Sequence, residues 1–332
     1  MKRNTFTVMK KLIIALLIFL NLSIDTHSQS TGNNSVKIVK KTFTYKTVEK
    51  TEIKGDCFSN VDNTSPAPVI FWIHGGALIF GSKDHVPKDQ LDFYLASGYS
   101  LISIDYRLAP ETKLGEIVRD VADALQWVHK YGKDSLKIDP NRIFLLGHSG
   151  GGYLALTAGY TANVKAQAIV TFYGYGDILA DWYTQPSSFY LARPLVSKEA
   201  AQKLIHDEII TSGAFEERFE IYLYTRQQGN WPDLVGGRDS KKESAWFRKY
   251  CPVENIDSSY PPVLLIHGDK DTDVPYSESV KLRDKLESNG VKNKLITMKG
   301  YDHVFDLSAG GLSNPAISVV FKEVIAFLDQ YK

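Results

Sequence analysis

The sequence predicts an α/β fold: a mostly parallel central sheet flanked by helices, with antiparallel edge strands at its start and a helical insertion. Three observations carry this. Short, unbroken apolar runs recur along the chain, as strands covered on both faces require. Segments with apolar residues at three- and four-residue spacing lie between them. The first stretch after the N-terminal region instead alternates apolar and polar residues, the pattern of an antiparallel pair.

Taken in order, Lys2, Arg3, Lys10 and Lys11 precede the apolar run Leu12 to Leu20, and small polar residues follow to Ser30. This is the grammar of a signal peptide over residues 1–28. The run falls short of the roughly 20 residues of a membrane span. The expected mature protein is therefore exported, periplasmic or secreted, with no stable membrane insertion. Residues 36–332 form the expected domain. Residues 36–54 read as the antiparallel edge pair. Val69 to Ile73, Leu101 to Ile104, Ile143 to Leu146, Ala168 to Phe172 and Val263 to Ile266 read as buried strands, and Lys294 to Met298 as the last. Leu114, Ile117, Val118, Val121, Leu125 and Val128 mark one helix face, and helices are expected over residues 279–286 and 316–328. Alternating strands and helices imply parallel pairing. Residues 175–260 interrupt that rhythm with helical stretches over 198–210 and 215–226, and read as a cap-like insertion.

Composition excludes several classes. Hydrophobic residues make up 43% of the 332 and charged residues 23%, enough apolar material for a core and too little charge for global disorder. A net charge of +1 with no basic stripe beyond the N-terminus argues against a nucleic-acid partner. Cys57 and Cys251 lack a C-x-x-C or Cys/His neighbourhood, so no metal or redox role is assigned. An oxidising compartment would permit them to pair, but spacing alone leaves that open.

The chemistry centres on Gly147-His148-Ser149-Gly150-Gly151, between a buried strand and a helix-compatible run. A sharp strand-to-helix turn there exposes the Ser149 hydroxyl as a nucleophile and demands small residues two positions to either side. A serine hydroxyl needs a base, and the base needs an orienting acid. On such sheets the chain order is Ser, acid, His. His303, on the loop after the last strand, fits as base; His74, His129, His148, His206 and His267 fit worse. The loop after the penultimate strand offers three carboxylates, Asp269, Asp271 and Asp273. Oxyanion donors are expected from the N–H of Gly150 and from the turn His74-Gly75-Gly76-Ala77.

As an ordered set these motifs, with Gly81-Ser82-Lys83 and Asp105-Tyr106-Arg107-Leu108-Ala109-Pro110, resemble the α/β-hydrolase fold-3 family. That family holds hormone-sensitive-lipase-like and carbohydrate-esterase-like serine esterases. The resemblance runs from about Pro68 to the C-terminus, apart from the insertion. It implies the α/β-hydrolase fold and selects Asp271 as the acid. It also places oxyanion donors at Gly76 and Ala77 beside Gly150, with Ala77 replacing a usual glycine, and gives Asp105 and Arg107 bracing roles. The implied activity is hydrolysis of carboxylic esters through an acyl-enzyme, with small-molecule or carbohydrate-linked esters as substrates and no metal or organic cofactor. Alternatives are a serine peptidase or amidase related to prolyl oligopeptidases, and an inactive binding module of the same fold.

Overall fold

The computed structural model describes residues 36–332, so the expected signal segment lies outside the described residues. An eight-stranded sheet runs in the order β1-β2-β4-β3-β5-β6-β7-β8. Its strands are β1 (Ile38–Val48), β2 (Thr51–Asn60), β3 (Ala67–Ile73), β4 (Ser100–Ile104), β5 (Ile138–His148), β6 (Ala168–Phe172), β7 (Val263–Gly268) and β8 (Asn293–Met298). The β1–β2 hairpin joins the sheet antiparallel through β4, and every other pairing is parallel. This is the mostly parallel α/β sheet that the strand grammar implies, in the α/β-hydrolase fold that the resemblance implies.

The apolar runs are continuous because each strand feeds two cores. Val69, Phe71 and Ile73 face one cluster while Ile70 and Trp72 face the other, following the two-residue side-chain period. Val263 and Leu265 alternate with Leu264 and Ile266 in the same way. Helices cover both faces, principally α1 (Lys88–Ala96), α2 (Leu114–Leu136), α3 (Gly150–Thr161) and, near the end of the chain, a helix over Pro315–Leu328.

Register brings the strand ends together. Ile73 pairs with Gly147, His148 with Phe172, and Phe172 with Ile266. The loops after β3, β5, β6 and β7 therefore emerge along one edge. The sheet order reverses at β3, between β4 and β5. A crevice forms at the carboxyl ends of strands on either side of such a reversal.

Between β6 and β7 lie seven helices: α4 (Asp181–Thr184), α5 (Ser188–Leu191), α6 (Lys198–Gln202), α7 (Phe215–Gln228), α8 (Trp231–Gly236), α9 (Ser244–Arg248) and α10 (Pro252–Asn255). The helix expected over 198–210 stops at Gln202. Beyond it the backbone bonds elsewhere: His206 N–H donates to Glu111 Oε1 at 2.9 Å, and the Ile210 carbonyl accepts from Leu108 N–H at 2.9 Å. Tertiary partners outcompete the helix ladder there. Buried Arg218 on α7 ties this segment down, donating to Glu111, Ile79 O and Ala109 O.

After β7 come α11 (Ser277–Ser288), α12 (Phe305–Ser308) and α13, the helix over Pro315–Leu328. Cys57 and Cys251 are both free and buried. Burial pushes the Cys57 thiol up to about 11 and the Cys251 thiol up to about 12, so both stay protonated near neutral pH. Among the described residues no helix is long and apolar enough to cross a membrane.

Candidate active site

Ser149 sits between β5 and α3 with φ 53° and ψ −120°. A non-glycine residue held there costs on the order of 1–3 kcal/mol, and surrounding structure must hold it. Here Ser149 N–H donates to Phe172 O at 2.9 Å. The flanking glycines are obligatory: a Cβ on Gly147 would lie 2.1 Å from Gly151 O, and one on Gly151 would lie 2.1 Å from Ile73 O. The G-x-S-x-G pattern is thus the imprint of strand and helix pressed together at the turn.

His303 lies after β8, and its Nε2 is 3.0 Å from Ser149 Oγ. Its Nδ1 is 2.6 Å from Asp271 Oδ2. The carboxylate fixes the tautomer: Nδ1–H donates to Asp271, leaving Nε2 to accept from the serine hydroxyl. Of the three candidate aspartates, Asp271 is the one within hydrogen-bond reach of His303 Nδ1. Asp269 accepts from Gly300 N–H at 2.6 Å, lacing its loop to the histidine loop. Asp273 turns to α7, where Tyr222 Oη and Arg226 Nη1 donate to its Oδ1 at 2.5 and 2.6 Å.

Burial alone would raise the Asp271 pKa. The charge of His303, with hydrogen bonds from His267 and His303, instead holds it well below the usual carboxylate range. Its Oδ1 also accepts from the N–H groups of Asp273 and Val274, at 2.9 and 2.8 Å. For His303 burial works downward, but the Asp271 charge and hydrogen bond, followed by Asp273 and Asp302, raise it to about 9. Asp302 fixes the loop by accepting from Thr272 N–H and His303 N–H, both at 2.7 Å.

Gly76, Ala77 and Leu78 all have positive φ, of 102°, 52° and 64°. A Cβ on Gly76 would fall 1.9 Å from Phe80 O, so only glycine fits. The N–H groups of Gly76, Ala77 and Gly150 donate to no acceptor among the described residues. A Cβ on Gly150 would lie 3.0 Å from Ala77 N, so these two donors border one space. Trp231 Nε1 on α8 donates to Ala77 O at 3.1 Å and holds the turn from the insertion side.

The structure thus brings Ser149, His303 and Asp271 into one hydrogen-bonded line, with Ala77 and Gly150 adjoining. The other histidines serve elsewhere. His74 stacks on Tyr106 at 4.2 Å and is lowered by burial to about 3, so it stays neutral. His148 points beneath the turn, its Nε2 3.2 Å from Asp306 Oδ2. Arg107 forms a buried pair with Asp120 through Nε and Nη2 at 2.7 and 2.9 Å, and Asp105 accepts from Lys83 N–H; both brace the sheet end. Tyr183 and Trp231 stack on each other, buried at 4.3 Å, so these aromatics pack the insertion.

Sequence reasoning missed His267. It ends β7 with Nε2 3.2 Å from Asp271 Oδ2 and 3.0 Å from Val274 O, while its Nδ1 meets Ser279 Oγ at 2.7 Å. Two acceptors at Nε2 place the proton there, so a second imidazole supports the acid. The four-residue spacing from His267 to Asp271 was the available signal. Sequence reasoning also missed Arg226 and Tyr222, whose link to Asp273 leaves no trace in local pattern.

Such an arrangement can pass the Ser149 proton to His303 as the hydroxyl attacks a carbonyl, while two backbone N–H groups meet the negative oxygen. Known proteins are consistent with this architecture. An α/β hydrolase superfamily protein from Enterococcus faecalis superposes with a TM-score of 0.68 at 22% identity, over 88% of this chain and 99% of that one. A truncated carbohydrate esterase from gut microbiota gives 0.63 at 19% identity, over 91% and 99%. In sequence, the non-reducing polyketide synthase ausA of Aspergillus calidoustus is 28% identical over 288 residues; the match takes in 72% of this chain but 12% of that much longer protein. The sequence model of the BD-FAE family matches residues 56–286, from β2 into α11, a span that holds Gly76, Ala77, Ser149, Gly150 and Asp271. With more than half of its length matched, the chain belongs to the BD-FAE family.

Proposed function

We propose that this protein is a serine esterase, cleaving carboxylic esters through an acyl-enzyme on Ser149. The carrying observation is the line Ser149 Oγ–His303 Nε2, 3.0 Å, and His303 Nδ1–Asp271 Oδ2, 2.6 Å. His303 takes the serine proton as Ser149 Oγ bonds to the ester carbonyl carbon, and Asp271 stabilises the imidazolium. N–H groups of Gly76, Ala77 and Gly150 receive the oxyanion. His303 then protonates the departing alcohol, and a water deprotonated by the same imidazole releases the acid.

The substrates we propose are short-chain or carbohydrate-linked acyl esters met outside the cytoplasm. The basic, apolar, then polar order of residues 1–30 supports export. Family membership supports ester chemistry, and the likeness to a carbohydrate esterase from gut microbiota supports the carbohydrate reading. Within the superfamily, the His74-Gly75-Gly76 turn supports a place beside the hormone-sensitive-lipase-like esterases.

The test is hydrolysis of p-nitrophenyl esters of graded acyl length beside an aminoacyl p-nitroanilide, with Ser149→Ala as control. Ester turnover lost in the variant is expected. Turnover of the anilide alone would favour the peptidase reading and defeat this one.

A further inference from the structure

Asp273 is the loop carboxylate that the hydrolytic steps do not use, and its two oxygens differ sharply. Oδ1 is occupied by Tyr222 Oη at 2.5 Å and Arg226 Nη1 at 2.6 Å, and Arg226 Nη2 also donates to the Asp273 carbonyl at 3.1 Å. Arg226 is itself locked, buried among Trp182, Tyr183, Tyr190 and Tyr222 with its guanidinium carbon 5.0 to 5.6 Å from their ring centres. The carboxylate therefore has one orientation. Buried Tyr190 is the further side chain hydrogen-bonded to this carboxylate. Oδ2 lies 3.6 Å from His303 Nε2, the nitrogen that also faces Ser149. That separation exceeds a hydrogen bond.

The departing alcohol oxygen must come within hydrogen-bond reach of that same Nε2 to receive its proton. An acceptor held beside it, a little too far to touch the imidazole, faces whatever stands one or two carbons along the alcohol. We propose that Asp273 is a specificity-determining residue whose Oδ2 accepts a hydrogen bond from a hydroxyl neighbouring the scissile oxygen, so that the site selects esters of polyols over esters of simple alkanols. The inference rests on the esterase reading and adds to it the group that reads the alcohol. Arg226 pairs with the Asp273 charge, so the oxygen facing His303 favours a neutral donor over a cationic alcohol. An alkanol brings this oriented acceptor no donor of its own, the circumstance in which discrimination against a missing hydroxyl is largest.

The experiment compares kcat/KM for 2-hydroxyethyl acetate and for propyl acetate, which replaces the hydroxyl by a methyl, using the full protein and Asp273→Asn. The wild type is expected to prefer the hydroxylated ester by about 10- to 100-fold, and Asp273→Asn to bring the ratio near one. Because each ratio is internal to one preparation, a partly folded variant does not distort it. A wild-type ratio near one overturns the proposal while leaving the esterase reading intact. An equal loss on both esters in Asp273→Asn also overturns it, making Asp273 a structural tie for Arg226. A larger gain for acetylcholine over its neutral isostere 3,3-dimethylbutyl acetate overturns the choice of hydroxyl over cation. Failure of the wild type to hydrolyse either acetate, together with p-nitrophenyl acetate, overturns the esterase reading and this inference with it.

Discussion

The indole Nε1 of Trp231 donates to the carbonyl of Ala77 at 3.1 Å, joining α8 to the turn after β3 across 154 residues of chain. That turn carries three successive positive φ angles, and its own bonds, from Ile79 and Phe80 N–H to Gly76 O at 2.8 and 3.0 Å, leave the Ala77 carbonyl to the indole. The insertion therefore buttresses the N–H groups facing the nucleophile. Trp231→Phe keeps an aromatic ring but strands the buried carbonyl, a loss of about 1–3 kcal/mol. We expect kcat to fall roughly tenfold, with KM little changed and a lowered Tm, read by ester kinetics beside thermal melting.

The three neighbouring aspartates separate by function. Asp271→Asn should lower kcat by about 10⁴ through the wrong imidazole tautomer. Asp269→Asn keeps an oxygen able to accept from Gly300 N–H and should cost well under tenfold. Equal losses in the two variants would reject Asp271 as the orienting acid.

The rate should depend on the protonation of His303, whose pKa is raised to about 9 by Asp271, Asp273 and Asp302 against the effect of burial. The base must be neutral to take the Ser149 proton, so kcat/KM should climb as pH rises through that value and fall below it. Removing one negative charge in Asp273→Asn should move the acid limb downward. A pH profile of kcat/KM with its limb at or below the ordinary imidazole pKa would contradict the charge assignment.

A second buried carboxylate stabilises the site from below. Asp306 accepts from Tyr173 Oη at 2.6 Å and Gln90 Nε2 at 2.8 Å, with His148 Nε2 at 3.2 Å. Burial alone would raise its pKa, but the charge and contact of His148, with those two donors, hold it below the ordinary value. A folded-state pKa below the unfolded one adds stability above the unfolded value, lost as pH falls through about 4 and below. Asp306→Asn should cost about 3 kcal/mol near neutral pH and flatten the fall of Tm on acidification. Parallel melting curves for both proteins across that range would refute this.

Much of the sheet was legible because burial on two faces leaves an unbroken apolar run. Ala168–Phe172 matches its expected bounds, and Val263 to Ile266 lengthens only to Gly268. The turn at Ser149 was equally legible, since backbone contacts at Gly147 and Gly151 permit no side chain. The insertion was read less well, because its short helices depend on distant partners such as Glu111, and local periodicity does not record them.

Sequence alone determined the strand order of chemistry: a glycine-rich turn, a serine between obligatory glycines, an acidic loop and a final histidine. Steric exclusion and strand burial act over a few residues and so imprint directly on local pattern. The family resemblance selects Asp271, but local pattern left three aspartates open; the contact of Asp271 with His303, its support by His267, and the locking of Asp273 by Tyr222 and Arg226 are matters of tertiary structure. The contacts of His303, Tyr222 and Arg226 depend on ångström distances between segments 32 to 51 residues apart, fixed by sheet register and by the packing of α7, and His267 meets Asp271 only through the fold of the loop between them.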